Sequence, residues 1–279
     1  MGLASPISGC GDTPSEQNSD MVSVPGGPAS VGCDGTIEQG CTQNESPRFG
    51  VTVEGFEVDR TEVDVDAYVA FLNLNGNDCA GHDCAESFFD HSPVSVDDDG
   101  VWSAKPERGT HPMTAVSWYG ADAYCRSVSK RLCSEVEWEI AALGNCESGN
   151  CAGEKPLYPW GNEAPSCALA HMVLNSKGCD TGELAPVGSY PAGASPYGAL
   201  DMAGNAWEWV ADTWREDYTA ASATAAVSAT AEAWVDASVP FRVVRGGGMG
   251  SGPDRLRGSH RFNAGASDRP AEYGFRCCR

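Results

Sequence analysis

Thirteen cysteines in a chain of 279 residues constrain the fold more than any other feature. So many thiols do not persist in a reducing cytosol unless they bind metal. The spacing argues against zinc: no Cys-x-x-Cys pair occurs, and His82, His91, His111, His171 and His260 are scattered. Several cysteines instead form close couples around polar, turn-forming residues: Cys33 with Cys41, Cys79 with Cys84, Cys146 with Cys151, and Cys167 with Cys179. A short polar loop clipped at its base by a disulfide has this form. Each such clip contributes less than a long-range bridge, because the entropy removed from the unfolded chain rises with loop length. The expected setting is an oxidising one, such as a periplasm, a cell surface or a secreted fluid.

Pairing twelve cysteines leaves Cys10, in Ile7-Ser8-Gly9-Cys10, a tetrapeptide that resembles a bacterial lipobox with a lipidated cysteine. Only nine residues precede it, none basic, and Pro6 interrupts a weak apolar run, so a full signal peptide is not present. A free cysteine in a disordered tail is the other reading. Residues 11–20 (GDTPSEQNSD) are polar and lack aromatics, and residues 1–19 are expected to form a disordered tether.

The whole chain is 41% hydrophobic, with 33 Gly and 17 Pro, and residues 20–279 read as one loop-rich globular domain. A net charge of −21, from 39 acids against 18 bases, makes nucleic acid and anionic membranes poor partners. Divalent cations or basic partners fit better. No apolar run approaches the ~18–20 residues that span a bilayer, and the chain is read as a monomer.

Along the chain, MVSV at 21–24 reads as a strand closed by a Pro-Gly-Gly turn, and RFGVTVEGFEVD at 48–59 as two short half-buried strands. Ala67, Tyr68, Phe71 and Leu72 recur at helical spacing through Asn73. The Asp-rich stretch 75–100 reads as a surface loop. A second helix starts at Ser117, burying Trp118, Ala121, Tyr124 and Cys125. Ser134 and Glu137 make a capping box for a third. Residues 145–215 read mostly as turns, and 219–240 as a low-complexity surface insertion. Strands return around 241–245 and 273–277.

Four ordered segments carry a resemblance: MVSVPGG at 21–27, VSWYGADAYCRSVSKRLCSEVEWEIAA at 116–142, YGALDMAGNAWEWVADTW at 197–214, and 242–279, which opens RVVRGG and closes YGFRCCR. Together they resemble the formylglycine-generating enzyme (sulfatase-modifying factor) family. The resemblance implies a single irregular, loop-rich α+β domain related to C-type lectins. It also implies a bridge from Cys125 to Cys277. Cys133 and Cys278 then pair by elimination, and a swap of partners between these two bridges stays open.

The family's oxidases follow the RGG strand with a serine and two cysteines that bind copper(I), for which soft thiolates suit. Here the matching stretch is GGMGSGPDR at 247–255, and no cysteine lies between Arg245 and Arg276. The resemblance further implies a calcium site on DMAGNAWE at 201–208, through the side chains of Asp201 and Glu208 and the carbonyls of Gly204 and Ala206. Asp180 is the one candidate for a second site near His171. Arg255, Arg257 and Arg261, with Met249 and His260, are candidates for a groove that takes a peptide, anionic or carbohydrate ligand. The resulting expectation is a non-catalytic, calcium- and disulfide-stabilised extracytoplasmic scaffold. The alternative is a formylglycine-type oxidase with a rebuilt site, the one case that calls for copper.

Overall fold

The computed structural model describes residues 20–145, 155–174, 177–179, 183–219 and 233–279. Cys10, the Cys146/Cys151 couple, Asp180 and most of the 219–240 insertion lie outside them. Two four-stranded sheets form the frame. In the first, Met21–Val24, Phe56–Asp59, Cys277–Cys278 and Arg131–Leu132 lie side by side, all antiparallel. In the second, the order is Phe262–Gly265, Phe241–Arg245, Trp207–Thr213 and Tyr273–Phe275, with the last pair parallel.

Among the described residues three α-helices pack on this frame, each started by a side-chain cap. In α1, Val65–Asn75, Asp64 accepts the Ala67 N–H. In α2, Trp118–Ser127, Ser117 accepts the Gly120 N–H. In α3, Glu135–Leu143, the Ser134/Glu137 capping box forms in both directions. Gly76 and Gly144, both at positive φ, end α1 and α3 where an ordinary side chain would be strained.

Two stretches depart from the sequence reading. Residues 75–100 carry the Asp78–Cys79/His82–Asp83 hairpin, and Val94–Val96 pairs with Trp102–Ala104. The turn-rich 145–215 region contains the central strand Trp207–Thr213. It shows no polar/apolar alternation because both its faces are covered: Val210 joins one apolar cluster with Trp138 and Val243, while Trp207 and Trp209 join another with Tyr68, Tyr124 and Phe275. Its polar residues Glu208, Asp212 and Thr213 are buried as well.

The C-terminal strand sits between the same two clusters. Successive residues on a strand face opposite sides, so Cys277 turns toward Cys125 in one cluster and Cys278 toward Cys133 in the other. The bridges formed are Cys125–Cys277 and Cys133–Cys278, and a swap would require each thiol to cross the sheet. Cys33–Cys41, Cys79–Cys84 and Cys167–Cys179 close local loops. No helix among the described residues is long and apolar enough to cross a membrane.

Candidate functional site

The segment from residue 242 to 276 is where the chain concentrates its cations, and most of them point inward. Arg245, with no exposed surface, donates to Glu135 at 2.9 Å and to Glu139 at 2.5 Å. These two acids lie four residues apart on α3 and therefore share a face. Arg261 takes both oxygens of Glu135, at 2.6 and 2.9 Å. Its guanidinium also lies over the rings of Trp214 and Tyr218. Arg257 binds both oxygens of Glu45, at 2.6 and 2.7 Å, and the His260 ring lies 3.1 Å from the same carboxylate. Burial alone would raise the Glu45 and Glu135 carboxyls. Hydrogen bonds from His260 and Arg257 and the Arg257 charge outweigh it at Glu45, holding it down to about 2, and the Arg261 and Arg245 charges hold Glu135 below its ordinary range.

This geometry corrects the expected groove. Arg257 and Arg261 spend their donor forks on internal carboxylates, because a buried guanidinium without a counter-charge is too costly. Arg269 approaches Asp83 and Glu86. Met249 and His260 line different depressions. Met249 borders one of 430 Å³ with His91, His111 and Thr114. Arg255, His260 and Arg261 border another of 550 Å³ with Asn44, Trp214 and Phe262. Arg255 is the exposed arginine of the three candidates. The glycines at this turn are set by packing: a Cβ on Gly248 would lie 2.7 Å from the Glu272 carboxylate and 2.9 Å from the Trp207 ring.

The 201–208 motif is also filled from within. Glu208, fully buried, accepts from Arg276 Nε and Nη2, both at 2.7 Å, and from Trp138 Nε1 at 2.7 Å. Arg276 completes its own shell on the carbonyls of Asp59, Arg60 and Leu200. Asp201, in the left-handed region at φ 57°, accepts the Gly188 N–H and lies against Glu62. Gly204 has no room for a side chain, since a Cβ would lie 2.4 Å from the His171 carbonyl oxygen. Calcium needs six to eight oxygen ligands. Here Glu208 is committed to a guanidinium and an indole, and although Glu62 lies near both Asp201 and Glu208, no three ligand atoms of these carboxylates lie within 4.8 Å of one another. The charge of Glu208 is thus met by Arg276 rather than by the cation that the resemblance implied. His171 is likewise occupied, with one ring nitrogen at Tyr190 Oη and the other at the Glu183 carbonyl. Copper(I) fares no better at Cys277 and Cys278, which are both in disulfides.

Sequence reasoning missed the acids that receive the arginines. Glu45, Glu135 and Glu139 are all buried. The legible signal was the Glu135/Glu139 spacing on a helix whose other residues, apart from the capping Glu137, are apolar.

Residues 9–279 match the sulfatase-modifying factor enzyme 1-like domain. The chain belongs to that family. Within it, the chain is 31% identical to hercynine oxygenase of Mycolicibacterium smegmatis, over 86% of this chain and 56% of that protein. It is 31% identical to the formylglycine-generating enzyme of Thermomonospora curvata, over 76% of this chain and 78% of that one. It thus spans little more than half the length of the hercynine oxygenase. Among solved structures, PvdO from Pseudomonas aeruginosa superposes with a TM-score of 0.70 at 25% identity, over 93% of both chains. This sulfatase-modifying-factor domain therefore shares its single-domain mixed α/β fold with PvdO.

Proposed function

We propose that this domain is an exported, non-catalytic binding member of the family, stiffened by disulfides and buried arginine–carboxylate pairs. One observation carries the reading. The stretch from Arg245 to Arg276 contains no thiol, and its Arg245, Arg257, Arg261 and Arg276 are buried against Glu135, Glu139, Glu45 and Glu208. A region so committed to internal pairing supports scaffold chemistry rather than oxygen activation. Disulfides at five places among the described residues support export. Calcium does not enter this reading, because Arg276 supplies the positive charge at Glu208.

Two relatives bear the names of enzymes, so the oxidase alternative needs a direct test. The purified protein is incubated with copper(I) and a Cys-x-Pro-x-Arg peptide, and both oxygen uptake and peptide mass are followed. The expected result is oxygen uptake no faster than in a protein-free control and no formylglycine in the peptide. Conversion of the peptide cysteine to formylglycine overturns the reading.

A further inference from the structure

We infer that the depression bordered by Arg255, Phe262 and Trp214 is a binding site for an acidic oligosaccharide, an inference that rests on the binding-protein reading. Its 550 Å³ lies in the range of small-ligand sites. Three kinds of group meet there. Phe262 is 45% exposed on an edge strand and Trp214 is half-buried beside it, so two aromatic rings border the space, as the apolar faces of sugar rings require. Gln43 and Glu216 border it with polar groups that can exchange hydrogen bonds with hydroxyls. Arg255 supplies an exposed guanidinium whose planar donor fork matches a carboxylate or sulfate.

The wall is rigid. The 42–44 turn follows directly on the Cys33–Cys41 clip and is held from below by Glu45, which is buried on Arg257. Arg261 fixes the same turn by donating to the Asn44 carbonyl at 2.7 Å, while its guanidinium backs the Trp214 ring at 4.7 Å. The core arginines thus hold the site in place, and Arg255 remains free to meet a carboxylate or sulfate.

The test is calorimetric titration of the intact protein with three probes: a hyaluronan hexasaccharide, a chondroitin sulfate hexasaccharide and neutral maltohexaose. Inorganic sulfate serves as the free-anion control. Binding of an acidic hexasaccharide at least about ten-fold tighter than maltohexaose is expected, with that preference lost in Arg255→Ala. Phe262→Ala should weaken every sugar by a similar factor. Both residues are exposed, and a melting curve for each variant verifies folding. Equal affinity for acidic and neutral sugars, sulfate binding as tight as the hexasaccharides, or no binding at all overturns the inference. The first outcome leaves a sugar-binding protein, and none of them bears on the oxidase assay, so the two readings fail separately.

Discussion

Asp212 shows how one buried carboxylate can tie distant segments together. Its two oxygens accept the Glu135 N–H at the start of α3, at 2.7 Å, and the Trp234 N–H near the end of the insertion, at 2.9 Å. Arg215 stacks on the Trp234 ring at 3.5 Å and completes the anchor. Burial, followed by the neighbouring Glu135 charge, pushes the Asp212 carboxyl up to about 7. An unfolded aspartate titrates near 3.9. The protonated form is therefore favoured by folding: its stabilising contribution is complete below about pH 4 and is lost as pH rises toward 7. Unfolding by guanidinium at a series of pH values should show stability falling between about pH 5 and 7. Asp212→Asn should flatten that slope, and an unchanged slope in the variant would refute the assignment. Glu45, held low, acts in the opposite sense and only in strong acid, outside this window.

At the scale of elements, the terminal strand is the most constrained piece of the molecule. Cys125–Cys277 and Cys133–Cys278 span 152 and 145 residues. Either one alone would be worth ~5 kcal/mol in the chain-entropy model. Their anchors are neighbours at both ends, however, so once one bridge is closed the other closes only a short extra loop, worth about 2–3 kcal/mol. The expected pattern is non-additive: a Cys125→Ala/Cys277→Ala protein loses about 2–3 kcal/mol, and so does its Cys133→Ala/Cys278→Ala counterpart. Removing all four costs well over the sum of the two. Strict additivity in denaturant titrations would sink this account. The local Cys33–Cys41 clip should matter less for stability than for holding the 42–44 turn.

For the whole molecule, the decisive question is which cation neutralises the buried acids. Arg276 meets Glu208 with both side chains 1% exposed. Removing one partner of such a pair costs roughly 3–5 kcal/mol, because the other is left charged and buried. Arg276→Met should therefore lower the melting temperature sharply, whereas chelators should leave the native melting curve where it is in millimolar calcium. A chelator-dependent fall in melting temperature would restore the divalent cation to the 201–208 motif.

Much of this architecture was legible in the chain itself. The helix starts at Ser117 and Ser134, the two strands within 48–59 and the three close cysteine couples among the described residues follow from local rules of capping, alternation and loop closure, which need no knowledge of distant residues. The family was legible too, from four short ordered segments. What the sequence could not reveal was which charges face which. Arg245, Arg257, Arg261 and Arg276 look identical to Arg255 in one dimension. Their fates diverge because α3 and the Glu45 turn deliver carboxylates to the first three, the Trp207–Thr213 strand delivers Glu208 to Arg276, and the surface leaves Arg255 in water. Long-range pairing of buried charge depends on tertiary proximity, and proximity between residues 68 to 212 positions apart is settled only when the sheets close.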